Sequence, residues 1–253
     1  MDLGIRGRVA LVTGGGRGLG KADCFKLAEE GVKVAALDIL GEQAEATARE
    51  IRERGGEAIG FYTDITDPLQ VAEAIAKVEK DLGSIDILIN NAARVQTMAQ
   101  FKNLPYEDWK KDINTNIDAL FHMTQPVYRS MLERNWGRII CMASIAGMMG
   151  SYGQTSYAAT KTAVIGFAKS LAIEGAKKGI TVNVIVPGMI GTEMMKTLVE
   201  AKTKALLKRI PLEAAGEPED IANTITFLCS EKAKYITGAV IHVAGGLQLL
   251  KIS

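Results

Sequence analysis

The chain has 253 residues, 47% of them hydrophobic, 23% charged and 6% aromatic, enough to bury a substantial core as one large α/β domain without disulfide or metal staples. Thirty Lys and Arg face 29 Asp and Glu, so the basic excess needed to neutralise nucleic-acid phosphates is missing. No run of about 18 apolar residues is present, which argues against a membrane-spanning helix.

Short apolar runs alternate with stretches of helical period. Residues 8–12 predict a first buried strand and 18–30 a helix closed by Gly31. Residues 32–37 predict a second strand and 42–54 a charged, alanine-rich helix. A third strand over 58–62 precedes a helix over 68–82, whose Asp67-Pro68 start suits a cap and a first turn. The run 85–89 is continuously apolar, as a strand covered on both faces should be. Helices are expected over 106–112, 118–133, 156–176 and 219–230, and strands over 138–142, 180–186 and 239–243. Such alternation predicts a Rossmann-type, doubly wound α/β fold, a seven-stranded and mostly parallel sheet with helices on both faces. Without repeat or linker, residues 1–253 read as a single domain, with 187–218 as an insertion near the sheet's carboxyl edge and a substrate lid at about 188–215 within it.

Cys24, Cys141 and Cys229 are scattered and odd in number, which argues against a disulfide framework or a thiolate metal site and for a reducing compartment. The start MDLGIRGRVALVTGGG lacks an apolar signal region, so a soluble, cytoplasmic protein without membrane or nucleic-acid partners is expected.

Two segments carry chemistry. Thr13-Gly14-Gly15-Gly16-Arg17-Gly18-Leu19-Gly20 lies between the first strand and the first helix. Glycines there let the backbone turn tightly and approach a pyrophosphate resting on the helix N-terminus. Asp38 ends the second strand, 18 residues beyond Gly20, where a carboxylate reaches adenosine ribose hydroxyls. It would also repel a 2′-phosphate, each unit charge pair being worth about 4 kcal/mol at about 4 Å and an effective dielectric of about 20. Ile39 follows without a cation, although Arg17 could partly offset the preference, so NAD(H) is expected over NADP(H). The second segment, Tyr157-Ala158-Ala159-Thr160-Lys161, puts a phenol and an ammonium four residues apart on one helix face. A tyrosine ionises at about pH 10, and bringing that near neutrality takes about 4 kcal/mol, which a neighbouring cation can help to supply.

TGGGRGLG, Asp38, Asp64, NNAA at 90–93, Asn116, Ser144, YAATK at 157–161 and PGMIGT at 187–192 together resemble the short-chain dehydrogenases/reductases, over nearly the whole chain. Through ITVNVIVPG, EPEDIA and the YITG…GG ending, the chain is most similar to their 3-oxoacyl-(acyl carrier protein) reductase group. The resemblance implies that Tyr157 is the general acid in ketone reduction and the base in alcohol oxidation. Lys161 would hold the nicotinamide ribose and lower the Tyr157 pKa. Ser144 would hydrogen-bond the substrate oxygen, with Gln154 as a further substrate contact. Asn116 would hold a water linking Lys161 to solvent.

The same resemblance implies Gly14, Arg17, Gly18 and Leu19 on the pyrophosphate, and Asp64 and Ile65 beside the adenine. Asn91 would face the adenosine ribose side, with Ala92 next to it. Pro187, Gly188, Ile190 and Thr192 would contact the nicotinamide end. Delivery of the pro-S hydride and a homotetramer, with dimer faces from 118–133 and 156–176, are implied too. NNAA departs from the family's usual NNAG at Ala93, which lacks glycine's freedom at positive φ.

The expected function is hydride transfer between NAD(H) and a secondary alcohol or ketone, with 3-hydroxyacyl/3-oxoacyl thioesters and cyclic alcohols leading. A dinucleotide-binding regulatory subunit without turnover is the rival. No catalytic metal is implied. Residues 192–210 should form the substrate lid. Its Lys196, Lys202, Lys204, Lys208 and Arg209, against Glu193 and Glu200, either attract an anionic handle such as coenzyme A or simply solubilise an amphipathic helix. Met148 and Met149 either line an apolar pocket or fill gaps. His122, His242, Trp109 and Trp136 read as structural.

Overall fold

Among the described residues, seven apolar runs become strands: β1 (Val9–Thr13), β2 (Lys33–Asp38), β3 (Ala58–Tyr62), β4 (Ile87–Asn90), β5 (Gly137–Met142), β6 (Ile180–Pro187) and β7 (Val240–Val243). The computed structural model describes residues 2–95, 98–192 and 207–249. In it the strands form one sheet in the order β3-β2-β1-β4-β5-β6-β7, each neighbouring pair parallel. Parallel neighbours need crossover connections. Here they are α1 (Gly18–Glu29), α2 (Gly41–Glu53), α3 (Pro68–Asp81), α4 (Tyr106–Ile113), α5 (Ala119–Arg134), α6 (Ile145–Met149), α7 (Thr155–Gly175) and α8 (Pro218–Cys229).

Strand alternation divides the core in two. Val9 and Leu11 of β1 face one side, where Val71 and Val78 of α3, Met123 and Val127 of α5, and Val164 and Ala168 of α7 cover them. Ala10 and Val12 face the other, against Cys24 and Leu27 of α1, Ala48 and Ile51 of α2, and Ile221 and Ile225 of α8. Both faces are thus buried, which is why the strands read as unbroken apolar runs. The doubly wound sheet expected from the sequence is the fold.

Local chemistry sets the helix ends. Asp67 caps α3, its Oδ1 accepting from the Leu69 N–H at 2.9 Å, with Pro68 in the first turn. Glu217 and Asp220 form a reciprocal capping box around Pro218 at the start of α8.

Two features differ from the sequence reading. The gap expected between 112 and 118 is a π-helical turn, Asn114–Asp118, that joins α4 to α5; neither Gly nor Pro interrupts the segment, so the helix widens rather than breaks. Helix α6 was not anticipated, because five residues show no usable period. The expected lid falls largely on 193–206, outside the described residues. At its base Ile190 bridges Gly216, and the Gly191 N–H donates to Gly216 O at 2.8 Å. No helix among the described residues is long and apolar enough to cross a membrane.

Asp23 is an anomaly of the α1 core face. It is fully buried, and neither carboxylate oxygen has a hydrogen-bond partner. Burial pushes its pKa well above the usual carboxylate range. Above about pH 4 the unfolded chain ionises while the folded chain keeps its proton, so stability declines as pH rises toward the raised folded value. Asp23→Leu should therefore stabilise the protein by about 1–3 kcal/mol at pH 8, and by less at pH 5. Denaturant melts at the two pH values check this; no gain at pH 8 would contradict it.

Candidate active site

All seven strands end at one edge of the sheet, and the winding reverses between β1 and β4, which leaves a crevice there. Thr13, the last residue of β1, closes the floor. Its Oγ1 accepts the N–H groups of Asn91 (3.0 Å) and Ala92 (3.1 Å) and donates to Ile89 O (3.3 Å). That uses a hydroxyl's single proton and both lone pairs. The Asn91 amide donates to Thr13 O at 2.9 Å and Gly14 O at 3.3 Å. Asn91 is therefore a fastener of the glycine loop; its amide protons are turned to that loop rather than to a ribose. Ala93 does not adopt positive φ, so alanine carries no strain there.

The loop requires its glycines for backbone conformation and for close packing. Gly14 has φ +68°, and a Cβ there would lie 2.9 Å from Asn91 Nδ2. A Cβ on Gly20 would lie 2.2 Å from Gly14 O. Gly18 has φ +56° and opens outward, a Cβ there meeting only Thr192 Cγ2 at 3.8 Å. Arg17 is the cap residue of α1, yet no side chain accepts from the helix's first N–H groups, and no acid occupies the first turn. These donors are available to an anion. Arg17, Gly18, Gly191 and Thr192 line one groove of about 640 Å³, while Leu19 packs on the core.

Asp38 ends β2 with its carboxylate fixed. Oδ2 accepts the Gly16 N–H at 3.0 Å and Oδ1 the Leu40 N–H at 2.9 Å. The Asp38 carbonyl accepts from Thr63 at 2.9 Å, which brings Asp64 and Ile65 to the same edge. Asp64 Oδ1 is held by the Thr66 N–H and hydroxyl, at 2.9 and 2.7 Å. On the far side Pro187 ends β6, the Gly188 N–H donates to Val243 O at 3.0 Å, and the Thr192 N–H donates to Ile190 O at 2.7 Å.

The reacting groups gather above β5. Ser144 caps α6, its Oγ accepting the Ala146 N–H at 3.2 Å, and its hydroxyl lies beside the Tyr157 phenol, where it lowers the phenol's pKa. The Lys161 ammonium lies 5.8 Å from the centre of the Tyr157 ring, so the two share one side of α7. Lys161 is 4% exposed and donates to Met142 O at 2.6 Å. Burial lowers its pKa to about 8. Burial also pushes the Tyr157 phenol above its ordinary value, opposed by the Ser144 hydroxyl and reinforced by the negative charge of Asp112. The expectation that Lys161 makes Tyr157 acidic is thus not met in this structure, because the ammonium is turned onto a carbonyl and desolvation dominates.

Asn116 sits in the π turn, buried. Its Nδ2 donates to Arg94 O and to Thr160 Oγ1, both at 3.1 Å, and its Oδ1 accepts the Arg94 N–H at 2.8 Å. These bonds engage the side-chain amide inside the protein. Asn116 and Lys161 nevertheless line a common cavity of about 20 Å³ with Thr13, Ile65, Asn90, Ala92 and Met142, room for about one water. Gln154 is the cap residue of α7, and no side-chain capping bond ties it there. Thr13 and Thr160 stand in the two motifs without a role assigned from the sequence, and Met142 and the Arg94–Asp112–Ser156 cluster carry no sequence expectation of a role. Asp112 offered a weak signal, four residues before Asn116.

Cys24, Cys141 and Cys229 are free and buried, and no metal-holding group of His, Cys, Asp or Glu occurs among the described residues. Trp136 packs structurally, its Nε1 donating to Glu231 at 2.7 Å with the Arg8 guanidinium 3.8 Å from the ring centre.

Residues 8–203 match the family described as short chain dehydrogenase. An acetoacetyl-CoA reductase of Shinella zoogloeoides is 44% identical over 240 residues, covering 94% of this chain and 98% of the relative. A 3-oxoacyl-(acyl-carrier-protein) reductase of Escherichia coli (strain K12) is 38% identical over 250 residues, covering 98% and 100%. Another of that description, from Staphylococcus epidermidis (strain ATCC 12228), is 41% identical over 242 residues, covering 95% and 98%.

The packing of the glycine loop makes a direct prediction. Gly20→Ala forces its methyl group against the Gly14 carbonyl, which should cost about 1–3 kcal/mol of stability and weaken dinucleotide binding at least tenfold. Thermal melts and NADH fluorescence titrations measure both; unchanged affinity would contradict the assigned packing.

Proposed function

The chain belongs to the short-chain dehydrogenase family, and on that premise we propose that it is an NAD(H)-dependent oxidoreductase interconverting a secondary alcohol and its ketone. A 3-hydroxyacyl/3-oxoacyl thioester is the leading substrate, supported by the names of the similar reductases. Residues 1–253 act as one catalytic domain, with the substrate lid at about 188–215. The observation that carries this reading is the gathering of Ser144, Tyr157 and the Lys161 ammonium in one cluster, at the strand edge that also bears the glycine cradle.

The residues suit a dinucleotide. The uncapped start of α1 with Gly14, Arg17 and Gly18 would hold the pyrophosphate, and Asp38 the adenosine ribose hydroxyls. Asp64, Ile65 and Ala92 would border the adenosine half, with Asn91 fastening the loop from behind. Pro187, Gly188, Ile190 and Thr192 would meet the nicotinamide end. When bound, the nicotinamide ring supplies or takes up the hydride.

Tyr157 donates its phenolic proton to the ketone oxygen as negative charge develops there, and takes it back in alcohol oxidation. Its raised pKa keeps it protonated at neutral pH, the form that reduction requires. Ser144, beside the phenol, would turn its hydroxyl to the same oxygen and stabilise its charge. Lys161, largely protonated at pH 7 with a pKa of about 8, holds positive charge near the phenol. Its position beside the small cavity shared with Asn116 gives protons a route away from Tyr157 through one water. Asp38 disfavours a 2′-phosphate by about 4 kcal/mol per unit charge pair at about 4 Å, with exposed Ile39 next in the chain rather than a cation, and with Arg17 partly offsetting the preference. An anionic substrate handle belongs to the same reading, with Lys208 and Arg209 as its candidate contacts; Lys196, Lys202 and Lys204 lie outside the described residues. We extend the reading to a homotetramer, supported by exposed Phe121 on α5 and Ile173 on α7.

Acetoacetyl-CoA and ethyl acetoacetate, each with NADH and NADPH, test the proposal by nicotinamide absorbance. The thioester and NADH should be preferred, and Tyr157→Phe should bind NADH normally while losing about 10²–10⁴-fold in turnover. Undiminished turnover in that variant would remove Tyr157 as the acid. Equal rates on the two substrates would remove the thioester, and an NADPH preference would remove the role of Asp38.

A further inference from the structure

Behind the reacting tyrosine lies a charge cluster that the proposed reaction does not use. Asp112, near the end of α4, is completely buried. Its Oδ1 accepts a short hydrogen bond from Arg94 Nη1, and its Oδ2 accepts the Ser156 hydroxyl at 2.5 Å. Ser156 immediately precedes Tyr157. The Arg94 guanidinium reaches on to Asp108, donating to its Oδ1 at 3.1 Å and to its carbonyl at 3.3 Å. The backbone of Arg94 is gripped in turn by Asn116, whose amide pairs with both its N–H and its carbonyl. One connected set of bonds therefore joins the loop after β4, the end of α4, the π turn and the first turn of α7.

Stability alone does not account for this arrangement. A buried ion pair is seldom more stabilising than apolar side chains of equal volume, because both charges must first be stripped of water. The bonds converge instead on the two residues flanking the reaction, Tyr157 and Asn116.

We propose that Asp112, clamped between Arg94 and Ser156, is a positioning residue for the reaction, fastening the turn that carries Tyr157 to the loop and π turn that carry Asn116. The inference rests on the reading of Tyr157 as the acid. Its second consequence is electrostatic. The groups facing Tyr157 are Ser144 from the end of β5, Lys161 from its own helix, and Asp112 from α4, with Arg94 and Asp108 behind Asp112. Of these, Asp112 places a fixed negative charge against the phenol and raises its pKa. Removing the charge must lower that pKa, so the protonated fraction falls at a lower pH. The descending limb of ketone reduction and the ascending limb of alcohol oxidation should both move down.

Asp112→Asn is isosteric and can still bond Ser156 and Arg94. Its rates across the pH range, with acetoacetyl-CoA and NADH and in reverse with the 3-hydroxy product and NAD, should show both limbs displaced downward. The KM for NADH should stay unchanged. The paired variant Arg94→Leu/Asp112→Leu replaces the buried charges by apolar volume. It should melt near the wild-type temperature and lose at least tenfold in kcat; because it removes a cation along with the anion, its limbs should move less than those of Asp112→Asn. Unmoved limbs in Asp112→Asn, wild-type kcat in the paired variant, or a loss equal at every pH that tracks the melting temperature, would overturn the assignment. Tyr157→Phe, assayed alongside, separates the two ideas: an inactive Phe variant with unmoved limbs in Asp112→Asn sinks only this inference, whereas an active Phe variant sinks the reaction scheme itself.

Discussion

The hold of the Met142 carbonyl on the Lys161 ammonium is the contact on which the reacting end depends. A lysine 4% exposed would ordinarily shed its proton, and burial does bring its pKa to about 8. The carbonyl at the end of β5, 2.6 Å away, gives the remaining charge a partner and fixes the side chain's direction. Because β5 lies inside the sheet, paired with β4 and β6, that carbonyl is part of a rigid element rather than a loop. Tyr157, one turn earlier on α7, and Ser144, two residues beyond β5, are thereby brought into one cluster.

The opposite end is governed by the same economy of backbone groups. Thr13 and Asn91 bind the glycine loop across the β1/β4 reversal, while Gly16 and Leu40 bind the Asp38 carboxylate. A group built to be approached by a ligand must first be held still by the protein. Each of these bonds holds loop backbone in place while leaving the first turn of α1 unopposed.

Much of this was legible beforehand, and the reasons are physical. Every strand was predicted within two residues of its observed bounds, because burial on both faces writes an uninterrupted apolar run. The glycine loop was legible because only glycine tolerates the approach of Gly20 to the Gly14 carbonyl. Tyr157 and Lys161 were found by their helical spacing. What stayed hidden depends on contacts through space. Asn91 resembles a ligand-facing residue until its amide is seen to bind Thr13 and Gly14. Arg94 and Asp112, eighteen residues apart, carry no shared period. The direction of the Tyr157 pKa depends on desolvation, which residue spacing does not encode.

The central claim is that desolvation, not the neighbouring cation, governs the Tyr157 phenol in the protein alone. Carbon-13 NMR of tyrosine labelled at Cζ, with Tyr157→Phe to assign the signal, measures this most directly. The account predicts a titration midpoint above the ordinary tyrosine value of about 10 for the protein alone. A midpoint below that value in the protein alone would contradict it.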